Sequence, residues 1–133
     1  MTIKIVTDST SDLSPQVAQE LGITVVPVYV RFGEQVYRDG VDINQDEFYQ
    51  KLAESPVHPS TAAPSPGEFA KVYEEAAQEA GEIVSIHLTS KHSATYESAL
   101  QGKELVRTLC RIEVVDSLSV SMGLGLITMA AAR

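Results

Sequence analysis

Three short apolar runs, each followed directly by a cluster of serine and threonine residues, constrain the fold of this chain most. The runs cover residues 3–6, 83–88 and 112–115, and the hydroxyl clusters that follow them cover residues 7–12, 89–95 and 116–121. If the runs are parallel strands, all three clusters lie at the same edge of one sheet, where open α/β sheets bind their ligands. The pattern therefore predicts a hydroxyl-lined site for an anion or a carboxylate.

Capping and turn residues divide the rest of the chain into helices and strands. Helices are predicted at residues 14–21, 44–54, 65–80, 93–109 and 120–133, and strands at residues 3–6, 23–32, 35–38, 82–88 and 112–115. Pro27 should interrupt the second strand, and Gly33 favours a hairpin turn after it. Four of the six prolines lie in residues 55–66, which predicts a loop there. This order predicts an α/β fold with a mainly parallel β-sheet flanked by helices.

Composition limits the class of protein and its partners. The 133 residues suffice for one domain, and 44% hydrophobic with 21% charged residues is normal for a globular protein. The formal net charge of −8 argues against nucleic acid or an anionic membrane as the main partner. A single cysteine, Cys110, allows no intramolecular disulfide and fits a cytoplasmic setting. A strand at the N-terminus argues against a signal peptide, and no apolar stretch reaches the ~20 residues of a membrane span.

Ser93 is the first candidate for ligand binding. It follows a predicted strand and begins a predicted helix, where unpaired N–H groups and the helix dipole stabilise an anion. Its hydroxyl would add one donor, although Ser93 could also serve only as the N-cap. The nearby hydroxyls of Ser90 and Thr95 could likewise bind a ligand or have only a structural role.

Thr61 and two aspartates are further candidates. Thr61 lies between Pro59 and Pro64, so the predicted loop is restricted and suits ligand capture, or it is only a stiff connection. Asp8 with Ser9, and Asp116 in the same way, follow predicted strands. Each aspartate could cap a turn, orient neighbouring hydroxyls or hold Mg²⁺.

The three histidines indicate neither a metal site nor a hydrolase. The spacing of His58, His87 and His92 matches no compact metal motif. His87 alternates with apolar neighbours and is predicted to be structural, whereas His92 adjoins Ser93 and could contact a ligand. No Ser-His-Asp arrangement can be inferred, and the Gly-x-Ser-x-Gly nucleophile motif is absent from the sequence.

Four ordered motifs resemble the DegV family. They are residues 6–13 (VTDSTSDL), Thr61 with residues 64–69 (PSPGEF), residues 88–99 (LTSKHSATYESA), and residues 115–117 with 121–125 (VDS and SMGLG). The third is similar to the family's central Ser-Gly-Thr-Tyr motif. Together the motifs span essentially the whole chain.

The resemblance implies a bacterial, cytoplasmic fatty-acid-binding protein. Related members present a bound fatty acid to a separate kinase subunit, which phosphorylates the carboxylate. The carrier itself has no catalytic residue and needs no metal or cofactor. Carried over to this chain, the carboxylate ligands are Thr61 and Ser93. The possible supporting residues are Asp8, Ser9, His92, Thr95, Asp116 and Ser117.

Departures from the family pattern concern the walls of this site and the length of the chain. Ala94 stands where the family usually has Gly, and Ala62 and Ala63 replace polar residues. Family members are about twice as long, so residues 1–133 are expected to be a DegV-like N-terminal domain without the C-terminal domain. That would account for the apolar helix at residues 120–133, and half a cleft is expected to hold an acyl tail weakly or not at all.

Two other functions remain open on the sequence alone. Asp8 and Asp116 after strands would suit a phosphoryl-transfer enzyme, although the chain has no phosphate-binding loop. The apolar C-terminal helix would suit a regulatory module that binds another protein.

Overall fold

The computed structural model describes residues 2–91 and 93–133. Its strands are β1 Ile3–Asp8, β2 Ile23–Val26, β3 Tyr29–Phe32, β4 Gln35–Arg38, β5 Ser60–Ala62, β6 Glu82–His87 and β7 Arg111–Asp116. Its helices are α1 Pro15–Leu21, α2 Gln45–Glu54, α3 Pro66–Ala77, α4 Thr95–Leu105 and α5 Ser121–Ala132, and a 3₁₀ turn spans Ser9–Ser11.

The main sheet has the strand order β2-β1-β6-β7, and its neighbouring strands all pair in parallel. The predicted α/β fold with a mainly parallel sheet is therefore confirmed. The register places Asp8 beside Val26 and His87 beside Asp116. The ends of β1, β6 and β7 consequently meet at one edge, as the three hydroxyl clusters predicted.

A second, antiparallel sheet corrects the prediction of a loop over residues 55–66. Its order is β4-β3-β5, and Val30 of β3 pairs with Thr61 of β5. Pro59 and Pro64 lie just outside β5, so neither removes a donor from this pairing. Pairing with β3 stabilises β5, and the composition of residues 60–62 does not indicate this pairing. The sequence therefore did not predict β5.

Helix boundaries follow the capping residues where a side chain makes the cap. Ser14, Asn44 and Ser65 each accept a backbone N–H at the start of α1, α2 and α3, as predicted. Gly22 ends α1 with a φ of 68°. Pro27 separates β2 from β3, and Gly33 lies in the turn of the β3–β4 hairpin.

The boundaries predicted for α4 are wrong at both ends. The helix begins at Thr95 rather than residue 93, and its N-cap Ala94 makes no side-chain cap. It ends at Leu105 rather than residue 109, because Glu74 of α3 accepts the backbone N–H groups of Arg107 and Thr108 and holds them outside the helix.

The core between the main sheet and α3 and α4 depends on a close helix contact. Phe69 and Tyr73 of α3 are wholly buried, together with Ala99 of α4. A Cβ atom at Gly102 of α4 would lie 2.6 Å from the Phe69 Cβ and 2.8 Å from the Pro66 carbonyl oxygen. Only glycine therefore allows α3 and α4 to approach this closely.

Gly102→Ala is expected to lower the free energy of unfolding by about 1–3 kcal/mol, because the added methyl forces the two helices apart. Urea unfolding followed by circular dichroism measures the change. Gly123→Ala in α5 is the matched control, since its Cβ would meet Ser119 at an ordinary 3.5 Å. An equal loss in both variants would contradict the steric explanation.

Helix α5 packs on the main sheet through one face and exposes another. Leu124 and Thr128 are buried, whereas Leu126 and Ile127 are exposed. Gly125 lets the helix approach the carbonyl oxygen of Ser11, since a Cβ there would lie 2.6 Å from it. Within residues 2–91 and 93–133, no helix combines the length and apolar character needed to cross a membrane.

Candidate functional site

A cavity of about 290 Å³ lies between the edge of the main sheet and the second sheet. Thr61 and Ser93, which are 32 residues apart in sequence, both line it. The remaining lining residues are Thr10, Val28, Ala62, Ala63, Leu88, Ala94 and Thr95. The structure thus brings the two predicted carboxylate ligands to one cavity with both hydroxyl and apolar walls.

Ser93 is held by the first residue of α4. Its Oγ accepts the Thr95 N–H at 3.1 Å and lies 2.9 Å from Thr95 Oγ1. Thr95 is wholly buried. When Thr95 Oγ1 donates to Ser93 Oγ, the Ser93 hydroxyl proton is free for a ligand, and the bonds it accepts make it a stronger donor. Ser93 therefore lies just before the helix, whose N-cap is Ala94, and in that arrangement it can donate its proton to a ligand.

Thr61 reaches the cavity from the edge strand of the second sheet. Strand β5 pairs with β3 on one side only, as the order β4-β3-β5 shows. Thr61 is exposed, so its hydroxyl remains accessible to a ligand. The neighbouring Ala62 and Ala63 add apolar wall to the cavity.

Asp8 is wholly buried and orients other groups. Oδ1 accepts the Thr10 N–H at 2.9 Å and also the Thr10 hydroxyl, while Oδ2 accepts the Leu88 N–H at 3.2 Å and lies 2.9 Å from His87 Nδ1. Of the three roles left open for Asp8, the geometry shows two: the carboxylate caps the 3₁₀ turn through the Thr10 N–H and orients the Thr10 hydroxyl. Thr10 and Leu88 were not selected from the sequence, although both belong to the predicted edge.

Ser9 has a structural role between the two sheets. Its Oγ accepts the Val28 N–H at 3.0 Å, which ties the 3₁₀ turn to the connection between β2 and β3. Asp39 lies beside it. Burial raises the pKa of Asp39, a hydrogen bond with Ser9 lowers it in part, and the charges of Asp12 and Asp8 add to the rise.

Asp39→Asn is expected to make the protein more stable at pH 7. A carboxyl whose pKa is raised by folding lowers stability when it is charged, and this penalty disappears as the pH falls through the raised pKa. The advantage of the Asn variant should therefore shrink toward acidic pH. Urea unfolding of both proteins across a pH series measures it, and an advantage independent of pH would contradict the electrostatic cause.

Asp116 and Ser117 support the sheet edge without lining the cavity. Asp116 accepts hydrogen bonds from the backbone N–H groups of Ser90 and Leu118 and from the Ser90 hydroxyl at 2.5 Å. The bond from that hydroxyl is the largest cause of the lowered pKa of Asp116. The Ser117 N–H donates to the His87 carbonyl, and its Oγ donates to the Ser119 carbonyl.

His87 forms a Ser-His-Asp arrangement that the sequence did not reveal. Its Nε2 lies 2.5 Å from Ser85 Oγ, and its Nδ1 faces Asp8. Ser85, His87 and Asp8 are all wholly buried, so Ser85 cannot reach a substrate. The hydroxyl of Tyr73 donates to Ser85, and burial raises the pKa of Tyr73 to about 12. Alternation with apolar neighbours predicts a structural histidine, and the His87 ring is buried with both nitrogens facing partners.

His92, predicted as a possible ligand contact, lies outside the described residues. Among residues 2–91 and 93–133, no group of three or more His, Cys, Asp or Glu side chains could hold a metal ion. Cys110 is partly buried, and this burial raises the pKa of its thiol.

A family model described as "Uncharacterised protein, DegV family" matches residues 2–133. A DegV domain-containing protein of Deinococcus radiodurans is 43% identical over 134 residues, covering 100% of this chain and 47% of that protein. The chain thus spans about half the length of the curated relatives it matches.

Solved structures of similar proteins share the fold. A structure described as the fatty acid binding of a DegV family protein from Thermus thermophilus has 40% identity and a TM-score of 0.89, over 99% of this chain and 46% of that one. A stearic acid-binding protein from Eubacterium ventriosum has 35% identity and a TM-score of 0.93, over 99% and 47%. The Streptococcus pneumoniae fatty acid kinase B3 protein loaded with linoleic acid has 25% identity and a TM-score of 0.82, over 98% and 47%.

Proposed function

Because the chain belongs to the DegV family, we propose that it binds a long-chain fatty acid through the carboxylate, which accepts hydrogen bonds from Thr61 and Ser93. The observation that carries the proposal is that Thr61 and Ser93, two hydroxyl-bearing residues, line one cavity at the carboxyl-end edge of the parallel sheet. The proteins from Thermus thermophilus and Eubacterium ventriosum, described as binding fatty acid and stearic acid, support the ligand class.

The chemistry of the cavity suits a carboxylate joined to an apolar chain. Ser93 precedes the eleven-residue helix α4, and its own proton can be donated while it accepts from Thr95. The N-terminal end of a helix adds favourable potential for an anion. Val28 and Leu88 supply apolar wall beside these donors, as the first methylenes of an acyl chain require.

We further propose that the protein has no catalytic role and presents the fatty acid to a separate kinase subunit, which phosphorylates the carboxylate. The description of the Streptococcus pneumoniae protein as a fatty acid kinase B3 protein supports this partner. The burial of Ser85, His87 and Asp8 supports a carrier, because these residues cannot reach a substrate.

The proposal also assigns residues 1–133 to the family's N-terminal domain. The exposed apolar residues of α5, among them Leu126 and Ile127, fit a surface that a second domain covers. Such a domain would complete the enclosure of the acyl tail, which a cavity of about 290 Å³ holds only in part.

Mass spectrometry of an organic extract of the purified protein tests the function. We expect a long-chain fatty acid in the extract of the native protein, and loss of that species from the Thr61→Val/Ser93→Ala variant purified in parallel. The same amount of fatty acid in both extracts would refute binding through these two hydroxyls. A phospholipid or a nucleotide in place of the fatty acid would refute the ligand class.

A further inference from the structure

A chain of hydrogen bonds runs through the core from α3 to the edge of the cavity. The Tyr73 hydroxyl donates to Ser85 Oγ at 2.8 Å, Ser85 Oγ lies 2.5 Å from His87 Nε2, and His87 Nδ1 lies 2.9 Å from Asp8 Oδ2. All four side chains are wholly buried. Since water cannot replace a missing partner there, the placement of every proton in the chain matters.

One arrangement of protons gives each donor among these four side chains an acceptor. Tyr73 donates to Ser85, so the Ser85 proton points to His87 Nε2, which must then accept. A neutral imidazole that accepts at Nε2 carries its proton on Nδ1 and donates it to Asp8. An imidazolium would donate from both nitrogens, and the Ser85 proton would then lack an acceptor among the described residues.

Asp8 connects this network of hydrogen bonds to two residues that line the cavity. Its Oδ1 accepts the N–H and the hydroxyl of Thr10, and its Oδ2 accepts the Leu88 N–H beside the bond from His87. Thr10 and Leu88 both line the 290 Å³ cavity, whereas His87 does not. The bond from Nδ1 therefore fixes the plane of a carboxylate that holds part of the cavity wall.

We infer that His87, as the neutral tautomer protonated on Nδ1, is a positioning residue for the ligand site and acts through Asp8 on Thr10 and Leu88. The inference rests on the proposed function for the identity of the ligand and extends it to a side chain outside the cavity. Without the Nδ1–H bond, the Asp8 carboxylate can rotate and Thr10 is less well held. The head group of the ligand must then order this wall as it binds, and affinity falls.

Two substitutions of His87 test the contacts of its two ring nitrogens separately. The amide nitrogen of Asn occupies the place of Nδ1, so His87→Asn keeps a donor to Asp8 and loses the contact with Ser85. The longer Gln reaches the place of Nε2, so His87→Gln keeps the Ser85 contact and loses the donor to Asp8. Ile112→Ala is the control for destabilisation, because Ile112 is buried near the start of β7, at the opposite end of the sheet.

Octanoate, a water-soluble carboxylate with a short acyl chain, is titrated into each protein while amide shifts are followed by NMR. We expect its affinity to be about tenfold lower in His87→Gln and within about twofold of the native value in His87→Asn and Ile112→Ala. Equal weakening in the two His87 variants, or weakening that follows loss of stability in all three, would overturn the inference.

The ¹⁵N spectrum of the His87 ring tests the inference without any ligand. A protonated Nδ1 with an unprotonated Nε2 is expected at pH 7, and the opposite tautomer or an imidazolium would overturn the inference. If octanoate does not bind the native protein, the proposed function fails. The positioning role is then still decided by the ring spectrum and by the amide signals of Thr10 and Leu88. These signals should be unchanged in His87→Asn and displaced in His87→Gln.

Discussion

The variant Thr61→Val/Ser93→Ala is expected to bind octanoate about 100-fold more weakly than the native protein. A hydrogen bond to a charged group contributes about 1.5 kcal/mol at the low end, and two such bonds therefore contribute about 3 kcal/mol. Valine keeps the β-branched shape of Thr61 in β5, so the strand should remain paired with β3. NMR titration should show no saturable shifts at concentrations that saturate the native protein.

Two controls make this result specific to the carboxylate. Ser60→Ala removes the neighbouring hydroxyl of β5, which lines an adjoining depression of about 200 Å³ that shares Thr61 and Ala62 with the cavity. Because Ser60 does not line the cavity itself, this change should leave affinity unchanged. Octanol has the same carbon chain without the carboxylate. It should bind more weakly than octanoate, and with the same affinity to the native protein and to the double variant. Unchanged octanoate affinity in the double variant would show that these hydroxyls do not hold the head group.

Asp8→Ala is expected to lower the free energy of unfolding by about 3–5 kcal/mol. Asp8 is wholly buried and accepts from Thr10, His87 and Leu88. Each buried donor left without an acceptor costs about 1–3 kcal/mol, and several lose theirs together. Urea unfolding at pH 7 measures the change.

Asp116→Ala is the matched comparison, because Asp116 also follows a strand and also accepts from neighbouring backbone N–H groups and a hydroxyl. It is only partly buried, so water can replace its bonds and the expected loss is about 1 kcal/mol or less. Equal losses in the two variants would mean that burial of Asp8 does not set the cost.

The sequence predicted the parts of the fold that local chemistry determines. Ser14, Asn44 and Ser65 specify helix starts through their own side chains, and Pro27 specifies the break between β2 and β3. Strand β5 was missed because its stabilisation comes from pairing with β3, about 30 residues earlier in the chain. No property of residues 60–62 alone predicts that pairing.

The same distinction holds for the site. Thr61 and Ser93 were selected through their motifs, and the structure brings them to one cavity; their contact with a carboxylate stays a prediction. Alternation in β6 predicted a buried His87, but its partner Asp8 lies 79 residues away. Thr10 and Leu88 line the cavity and both donate hydrogen bonds to Asp8, an arrangement that spacing along the chain cannot reveal.

Val28 both joins the two sheets and lines the cavity. Its N–H donates to Ser9 Oγ, its carbonyl accepts the Asp39 N–H at 2.9 Å, and it stands between β2 of one sheet and β3 of the other. Parting of the sheets must break the bond to Ser9 and expose the amide to solvent. The rate of hydrogen–deuterium exchange at Val28 therefore reports how often the cavity opens, and a ligand that bridges Thr61 and Ser93 should slow it.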